Sequence, residues 1–196
     1  SDRLAATSGA TRTDLRIVPF RGSYFTLSQR AASLVRSMIY PVPDPGLPFL
    51  GVHFTRHVDD SVSCGPNAVL APSRERYRRV ALNPRDLWDT VRFPGTRRLA
   101  RGHLSTGLRE AVLDLSRGRY HRSARRYLPG LAVDDLLPGA SGVRAQVVDS
   151  RGLLVDDFVF ESNSAVLHVR NAPSPAATAS LAIADELVAR LLELGG

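Results

Sequence analysis

Lysine is absent from this 196-residue chain, and all 26 of its basic side chains are arginine. Set against 19 acidic residues they leave a net charge of +7. They are scattered from Arg3 to Arg190 among abundant alanine, leucine and valine, which looks like a coding preference more than a built phosphate footprint. Clusters at residues 74–79, 97–101 and 117–126 remain, the last including Tyr120 and Tyr127. That composition suits a stacking groove, but solvated helix faces share it, so no nucleic-acid partner is expected. Cysteine is almost as scarce: Cys64 alone excludes an internal disulfide or a thiolate metal cage, and no metal ligands are assigned. Met38 is the only methionine and the chain opens on Ser1, so a cut or partial chain is expected. No apolar run approaches the ~20 residues a membrane span requires, and no signal-peptide pattern opens the sequence. A soluble, cytoplasmic protein is the expectation. There is no glycine-rich phosphate loop, no HExxH and no serine-nucleophile elbow.

What is present is enough apolar residue, 43% of the chain, for one sizeable domain or a large part of two. Residues 1–8 have the composition of a helix tail closed by Gly9. Residues 16–27 are rich in strand formers, with Gly22 predicting a bulge or bend. Further strands are predicted at 35–40, 49–55 and 62–70, with Asp59 and Asp60 as a hairpin turn between the last two. Four consecutive strands with short connections imply an antiparallel sheet. From Ser73 charged residues multiply and the apolar period lengthens, predicting a helical insert over 73–130. Within it Leu104, Leu108, Val112 and Leu115 share one face, the expected packing face, with Arg101, Arg109 and Asp114 off it. A short helix is predicted over 119–127. Strands return at 142–148, 156–162 and 165–169, the last two joined at Asn163. The end is an amphipathic helix with Leu187, Leu191 and Leu194 on one face. The fold class is α+β: an antiparallel or mixed sheet with flanking helices.

Polar residues on otherwise apolar strands are the informative ones: Arg21, Tyr24, Tyr40, His53, Thr55, Arg56, Asn67 and Arg144. Arg144 lies at the centre of GVRAQVV, where a guanidinium must reach an edge, bind an anion or pair with a carboxylate such as Asp156 or Asp157. His53, between Val52 and Phe54, is either a hydrogen-bonded core histidine or a proton acceptor. Residues 168–183, HVRNAPSPAATASLAI, combine a strand end, a turn stopped by Pro173 and Pro175, and a helix start of small residues with Ser174 as cap. Such a start lets a flat ligand approach the backbone, and its N–H groups and dipole favour a phosphate, a carboxylate or the negative edge of a reduced flavin. Close helix packing explains the same small residues.

Taken together, IVPFRGSYF at 17–25, IYPVPDP at 39–45, FLGVHFTR at 49–56, GPNAVLA at 65–71, GVRAQ at 142–146, LVDDF at 154–158 and the 168–183 stretch resemble the L-2-hydroxyglutarate dehydrogenases or oxidases. These are FAD-dependent members of the D-amino-acid-oxidase-like superfamily. The resemblance implies a substrate domain at 16–147 between two segments, 1–15 and 148–196, of a Rossmann-like FAD domain whose larger part lies in a missing N-terminal half. It implies FAD as cofactor, L-2-hydroxyglutarate as substrate, and a quinone or oxygen as electron acceptor. A quinone would bring the protein to the inner face of a membrane. By family position Arg144 is similar to the arginine that clamps the α-carboxylate, and Tyr40 to a substrate-facing tyrosine. His53 is the candidate base, Arg21 or Arg56 the candidate for the distal carboxylate, and Tyr24 and Asn67 further substrate-binding candidates. His168, Asn171, Ala172, Ser174, Ala176 and Ala177 would meet the flavin. The sequence departs from the pattern at Ser23, Phe25 and Asp60, where Glu, Tyr and Gly are usual. Two other functions fit the same residues: a sister amino-acid or hydroxy-acid oxidase, and a non-catalytic basic module retaining the fold.

Overall fold

Alternation of apolar and half-buried residues makes Leu15–Leu27 (β1) the axis of the fold, with Arg21, Ser23, Phe25 and Leu27 turned inward and the residues between them turned out. The computed structural model describes residues 1–9, 13–42, 51–75, 81–163, 166–173 and 176–195. Along one edge β1 pairs antiparallel with Leu136–Asp149 (β5), from Leu15↔Asp149 to Leu27↔Leu136. Along the other it meets two short strands, Val62–Cys64 (β3) through Phe25↔Cys64 and Val69–Leu70 (β4) through Phe20↔Leu70. Phe54–Arg56 (β2) completes the sheet by pairing with β3. Val159–Ser162 (β6) and Leu167–Asn171 (β7) form a separate hairpin.

The bend expected near Gly22 occurs as a register shift between Ser23 and Phe25, where β5 takes three residue steps to two on β1. Gly139 lies in that bulge, and a Cβ there would come within 2.7 Å of the Tyr24 carbonyl oxygen. The Asp59–Asp60 turn forms as expected: the His57 N–H donates to Ser61 O at 2.8 Å and Asp60 adopts φ 64°. The strand expected at 62–70 is instead split into β3 and β4. Gly65 breaks it with φ +137°, where a Cβ would meet the Ser23 carbonyl at 2.9 Å. The strand expected at 35–40 does not form either. Ser28 caps a short helix, Gln29–Ala32 (α2), accepting from the Ala31 N–H at 3.2 Å, and the residues after it join the sheet ladder as an isolated bridge between Ile39 and Phe54. Residues 49 and 50 of the next expected strand lie outside the described residues.

The helical insert comprises Pro84–Arg92 (α3), Pro94–Gly102 (α4), Leu104–Leu115 (α5) and Arg117–Ala124 (α6). Proline opens α3 and α4 because the first helical N–H has no partner to lose. Phe93 joins Val18 and Val148 in one core cluster, while Leu113 and Tyr120 join Phe25, Phe54, Val62 and Leu136 in a larger one. Helix α5 is turned against expectation. Leu104, Leu108 and Leu115 lie exposed, and the face carrying Leu113 and Asp114 is buried against the sheet. The physical reason is Asp114, whose carboxylate is drawn inward to a guanidinium on β1.

The N-terminal helix Asp2–Thr7 (α1), followed by Gly9 at φ 83°, lies between hairpin and insert. Ser1 Oγ donates to Arg170 O at 3.0 Å, and Arg74 bridges to Asp2 at 2.8 Å. The last helix, Ser180–Gly195 (α7), starts later than expected. Residues 176–179 form a turn in which the Ala176 N–H donates to Pro173 O at 3.1 Å. Leu191 and Leu194 are exposed, and α7 meets the hairpin through Arg190, whose guanidinium lies 4.2 Å over the Phe160 ring.

Candidate functional site

Directly opposed residues of an antiparallel pair share a face, so the outward face of β1 also carries residues of β5. Phe20 opposes Arg144 and Gly22 opposes Gly142, leaving a stretch without side chains between Arg144 and the bulge at Tyr24. The bareness has different causes on the two strands. A Cβ on Gly22 would strike Pro66 at 2.6 Å, whereas one on Gly142 would meet nothing within 4 Å. The chain after α2 brings in Tyr40, and the residues before β2 bring in His53. Their rings stack with centroids 4.5 Å apart and planes 17° apart. The Tyr40 hydroxyl lies 3.2 Å from Thr55 Oγ1, which sets the phenol in place.

Electrostatics tie the four side chains together. Burial lowers the His53 pKa from its ordinary value, and the nearby Arg144 charge lowers it further against the opposing bond to Gly51. Burial raises the Tyr24 pKa and Tyr40 adds to that, while Arg144 opposes it. His53 Nδ1 lies 3.1 Å from Gly51 O. A carbonyl can only accept, so Nδ1 carries the proton and Nε2 of the neutral ring keeps a lone pair. The face thus holds a guanidinium, two phenols and an imidazole that stays neutral near pH 7. Such a set can hold an anion, donate hydrogen bonds and take a proton.

Three other residues singled out in the sequence point elsewhere. Arg21 is buried on the opposite side of β1, its Nη2 donating to Asp114 at 2.5 Å and its Nη1 to Ser23 Oγ at 2.6 Å. Asn67 is buried with it, accepting from the Ser23 N–H at 2.8 Å and donating to Asp114 at 2.9 Å. Burial pushes the Asp114 pKa up, but the hydrogen bonds from Asn67, Arg21 and Ser23 outweigh it and hold the carboxyl below its ordinary value. Arg56 ties the end of α2 and the turn after it to β2, donating to Ala32 O at 3.3 Å, to Val35 O at 2.9 Å and to Asp60 at 2.6 Å. Asp114 was not among the sequence candidates. It is a carboxylate on the polar side of an amphipathic helix, and only its buried partner distinguishes it.

At the β7 turn, Asn171 is buried and its Nδ2 donates to Val155 O at 2.9 Å and Asp157 O at 2.7 Å, pinning the preceding loop. Ala172 and Ala177 are exposed and Ala176 is half-buried, while Ser174 lies outside the described residues. His168 faces α1, its Nε2 2.5 Å from Ser8 Oγ.

Comparison with known proteins adds a chemical context. Residues 1–190 match the family described as FAD dependent oxidoreductase. The chain is 53% identical over 189 residues to the mitochondrial L-2-hydroxyglutarate dehydrogenase of Nematostella vectensis, covering 94% of this chain and 41% of that protein. It is 45% identical over 199 residues to the Homo sapiens protein of the same name, covering 97% and 43%. With the L-2-hydroxyglutarate dehydrogenase of Escherichia coli (strain K12) the identity is 44% over 178 residues, covering 91% and 42%. The chain therefore spans less than half the length of these curated relatives.

Proposed function

We propose, from the premise that this chain belongs to the FAD dependent oxidoreductase family, that it forms the substrate-facing half of a flavoenzyme oxidising L-2-hydroxyglutarate to 2-oxoglutarate. The observation that carries the reading is the convergence of Arg144, Tyr24, Tyr40 and His53 on one open sheet face. A dicarboxylate needs a fixed cation, and a guanidinium offers two parallel donors to a carboxylate. Tyr24, kept protonated by its raised pKa, and Tyr40 supply hydroxyl donors alongside. His53 Nε2 accepts the proton of the substrate hydroxyl as the C2 carbonyl forms. Its depressed pKa keeps it in the basic form at neutral pH.

The turn after β7 suits a flat ring: Ala172 and Ala177 are exposed and small, and Asn171 is already fixed by its two carbonyl partners. Ala172, Ala176 and Ala177, with Ser174, would border the FAD there. When bound, the flavin supplies the acceptor for the hydride leaving C2. We assign α1, the β6–β7 hairpin and α7 to the FAD domain, whose Rossmann-like larger part belongs to the other half of the relatives' length. Arg21 and Asn67 act from behind the sheet by fixing β1, which leaves the distal carboxylate to donors of that other half. The electrons pass on to a quinone or oxygen. Cytoplasmic location is proposed on the buried, unpaired state of Cys64, which suits a reducing compartment. Some relatives are named mitochondrial.

The test is kinetic, on the flavin-loaded protein. Arg144→Ala should raise KM for L-2-hydroxyglutarate about 100-fold, the equivalent of about 3 kcal/mol for a lost bidentate charged contact. His53→Gln should lower kcat with KM little changed. An unaltered KM in the arginine variant, or preferred turnover of an amino acid, would overturn the assignment.

A further inference from the structure

Oxidation turns a thioether, an apolar group and weak hydrogen-bond acceptor, into a polar sulfoxide, and Met38 is the single methionine of this chain. Its side chain does not serve the core, for Met38 is 60% exposed. Its Sδ stands 3.8 Å from the Tyr40 hydroxyl, which Thr55 Oγ1 approaches at 3.2 Å from β2. The Tyr40 ring in turn stacks on His53, with centroids 4.5 Å apart. Met38 therefore touches the substrate face through one atom, the phenol oxygen assigned to substrate. The chain's other sulfur is protected. Cys64 is fully buried, and burial pushes its thiol up to about 12, leaving little thiolate at neutral pH.

We propose that Met38 is an oxidation site whose sulfoxide captures the Tyr40 hydroxyl and weakens substrate binding. The capture of Tyr40 stands on this geometry alone, and its effect on binding rests on the flavoenzyme reading. The modifying reagent is a peroxide. Its O–O bond breaks, one oxygen bonds to Sδ, the other leaves as water, and the sulfur gives up two electrons. Transfer of the substrate's two electrons to oxygen, one of the two acceptors proposed, forms hydrogen peroxide at the same face. The new sulfoxide oxygen enters the gap between Sδ and the phenol, where an O–H···O bond of about 2.7 Å forms after a small turn of either side chain. The Tyr40 proton then has a fixed partner within the protein. A substrate carboxylate loses one donor, and the Tyr40 ring shifts over His53. Enzymatic reduction of the sulfoxide restores the thioether and frees the phenol.

The experiment begins with the full chain and hydrogen peroxide. Peptide mass analysis should find one added oxygen on Met38 while Cys64 stays a free thiol, with the circular dichroism spectrum unchanged. The NMR ring resonances of His53, identified by their absence in His53→Gln, should shift on oxidation because a stacked ring moves above them. Methionine sulfoxide reductase should return them, and in Met38→Leu peroxide should leave them in place. In the flavin-loaded protein, oxidation should raise KM for L-2-hydroxyglutarate about tenfold with kcat little changed, the loss of one hydroxyl donor to a charged acceptor. Met38→Gln, whose amide oxygen stands in for the sulfoxide, should raise KM without peroxide, and Met38→Leu should keep its KM through the treatment. His53 resonances that stay in place when Met38 is oxidised, or that move equally in Met38→Leu, overturn the proposal whatever the enzyme turns over. An unchanged KM after oxidation, in an enzyme that does turn over L-2-hydroxyglutarate, overturns the effect on binding. No turnover of that substrate before peroxide is added is a failure of the flavoenzyme reading instead, and the His53 resonances still decide the capture of Tyr40.

Discussion

Removing the Asp114 carboxylate should be among the most destabilising single changes in this protein. The Arg21–Asp114 pair lies 2.5 Å apart with side chains only 6% and 4% exposed. Breaking a pair that is out of water strands the surviving charge, at a cost of about 3–5 kcal/mol. Asp114→Ala also leaves the Asn67 amide without its acceptor, adding about 1 kcal/mol. The sum, about 4–6 kcal/mol, is comparable with the whole stability of a typical domain. Urea unfolding followed by far-UV circular dichroism should show the midpoint falling by about 2 M at a slope of about 2–3 kcal/mol per molar. A double substitution, Arg21→Met with Asp114→Leu, removes both charges and should recover most of the loss. The carboxylate contributes above the ordinary aspartate range, and its contribution disappears as pH falls through the lower folded value. A loss below about 1 kcal/mol for Asp114→Ala, as for exposed pairs, would refute the buried geometry.

Replacing Arg144 by alanine should raise the His53 pKa towards its ordinary value, since burial and then the Arg144 charge depress it; NMR titration of the His53 ring reads this directly. Gly95→Ala should destabilise α4 by about 2 kcal/mol or more, because a Cβ there would overlap the Asp149 carbonyl oxygen at 2.0 Å. Thermal unfolding measures it. Burial pushes the Cys64 thiol up to about 12. Stability tied to it is complete below the ordinary thiol range and is lost as pH rises towards that value. Disulfide-exchange reagents should accordingly modify Cys64 in urea and not in the native chain at neutral pH. Asn83→Ala should cost about 1 kcal/mol, since its side chain accepts from Arg85 N–H at 3.1 Å.

Local rules made much of the sheet legible, because strand periodicity and turn chemistry act over a few residues. The alternation of β1, the Asp59–Asp60 turn and the β6–β7 hairpin were all foreseeable. Pro138 and Gly139 hid the first half of β5, although a bulge on an edge strand accommodates both. Ser28 and the alanines after it carry the signals of a cap and a helix start, but a four-residue helix is too short to show a period beside the strand-forming Val35 to Tyr40. The stripe on α5 shows why periodicity finds a helix and cannot orient it. Leu104, Leu108 and Leu115 gave the face, and a partner 93 positions away, Arg21, decided which way it looks. For the site, residue type nominated Arg144, Tyr24, Tyr40 and His53. It could not separate them from Arg21, Arg56 and Asn67, whose partners are set by tertiary structure.

The ladder between β1 and β5 joins residues 15–27 to residues 136–149, and this has a consequence for time. A ribosome adding about 5–20 residues per second needs several seconds or more to deliver β5 after β1 has emerged. Closing so long a loop also carries an entropic cost of about 4 kcal/mol before the first pair rewards it. Throughout that interval β1 offers a long edge of unsatisfied N–H and C=O groups, a template for strands of other chains. Yield from a cell should therefore respond to translation speed and chaperone supply more than the finished protein's stability would suggest.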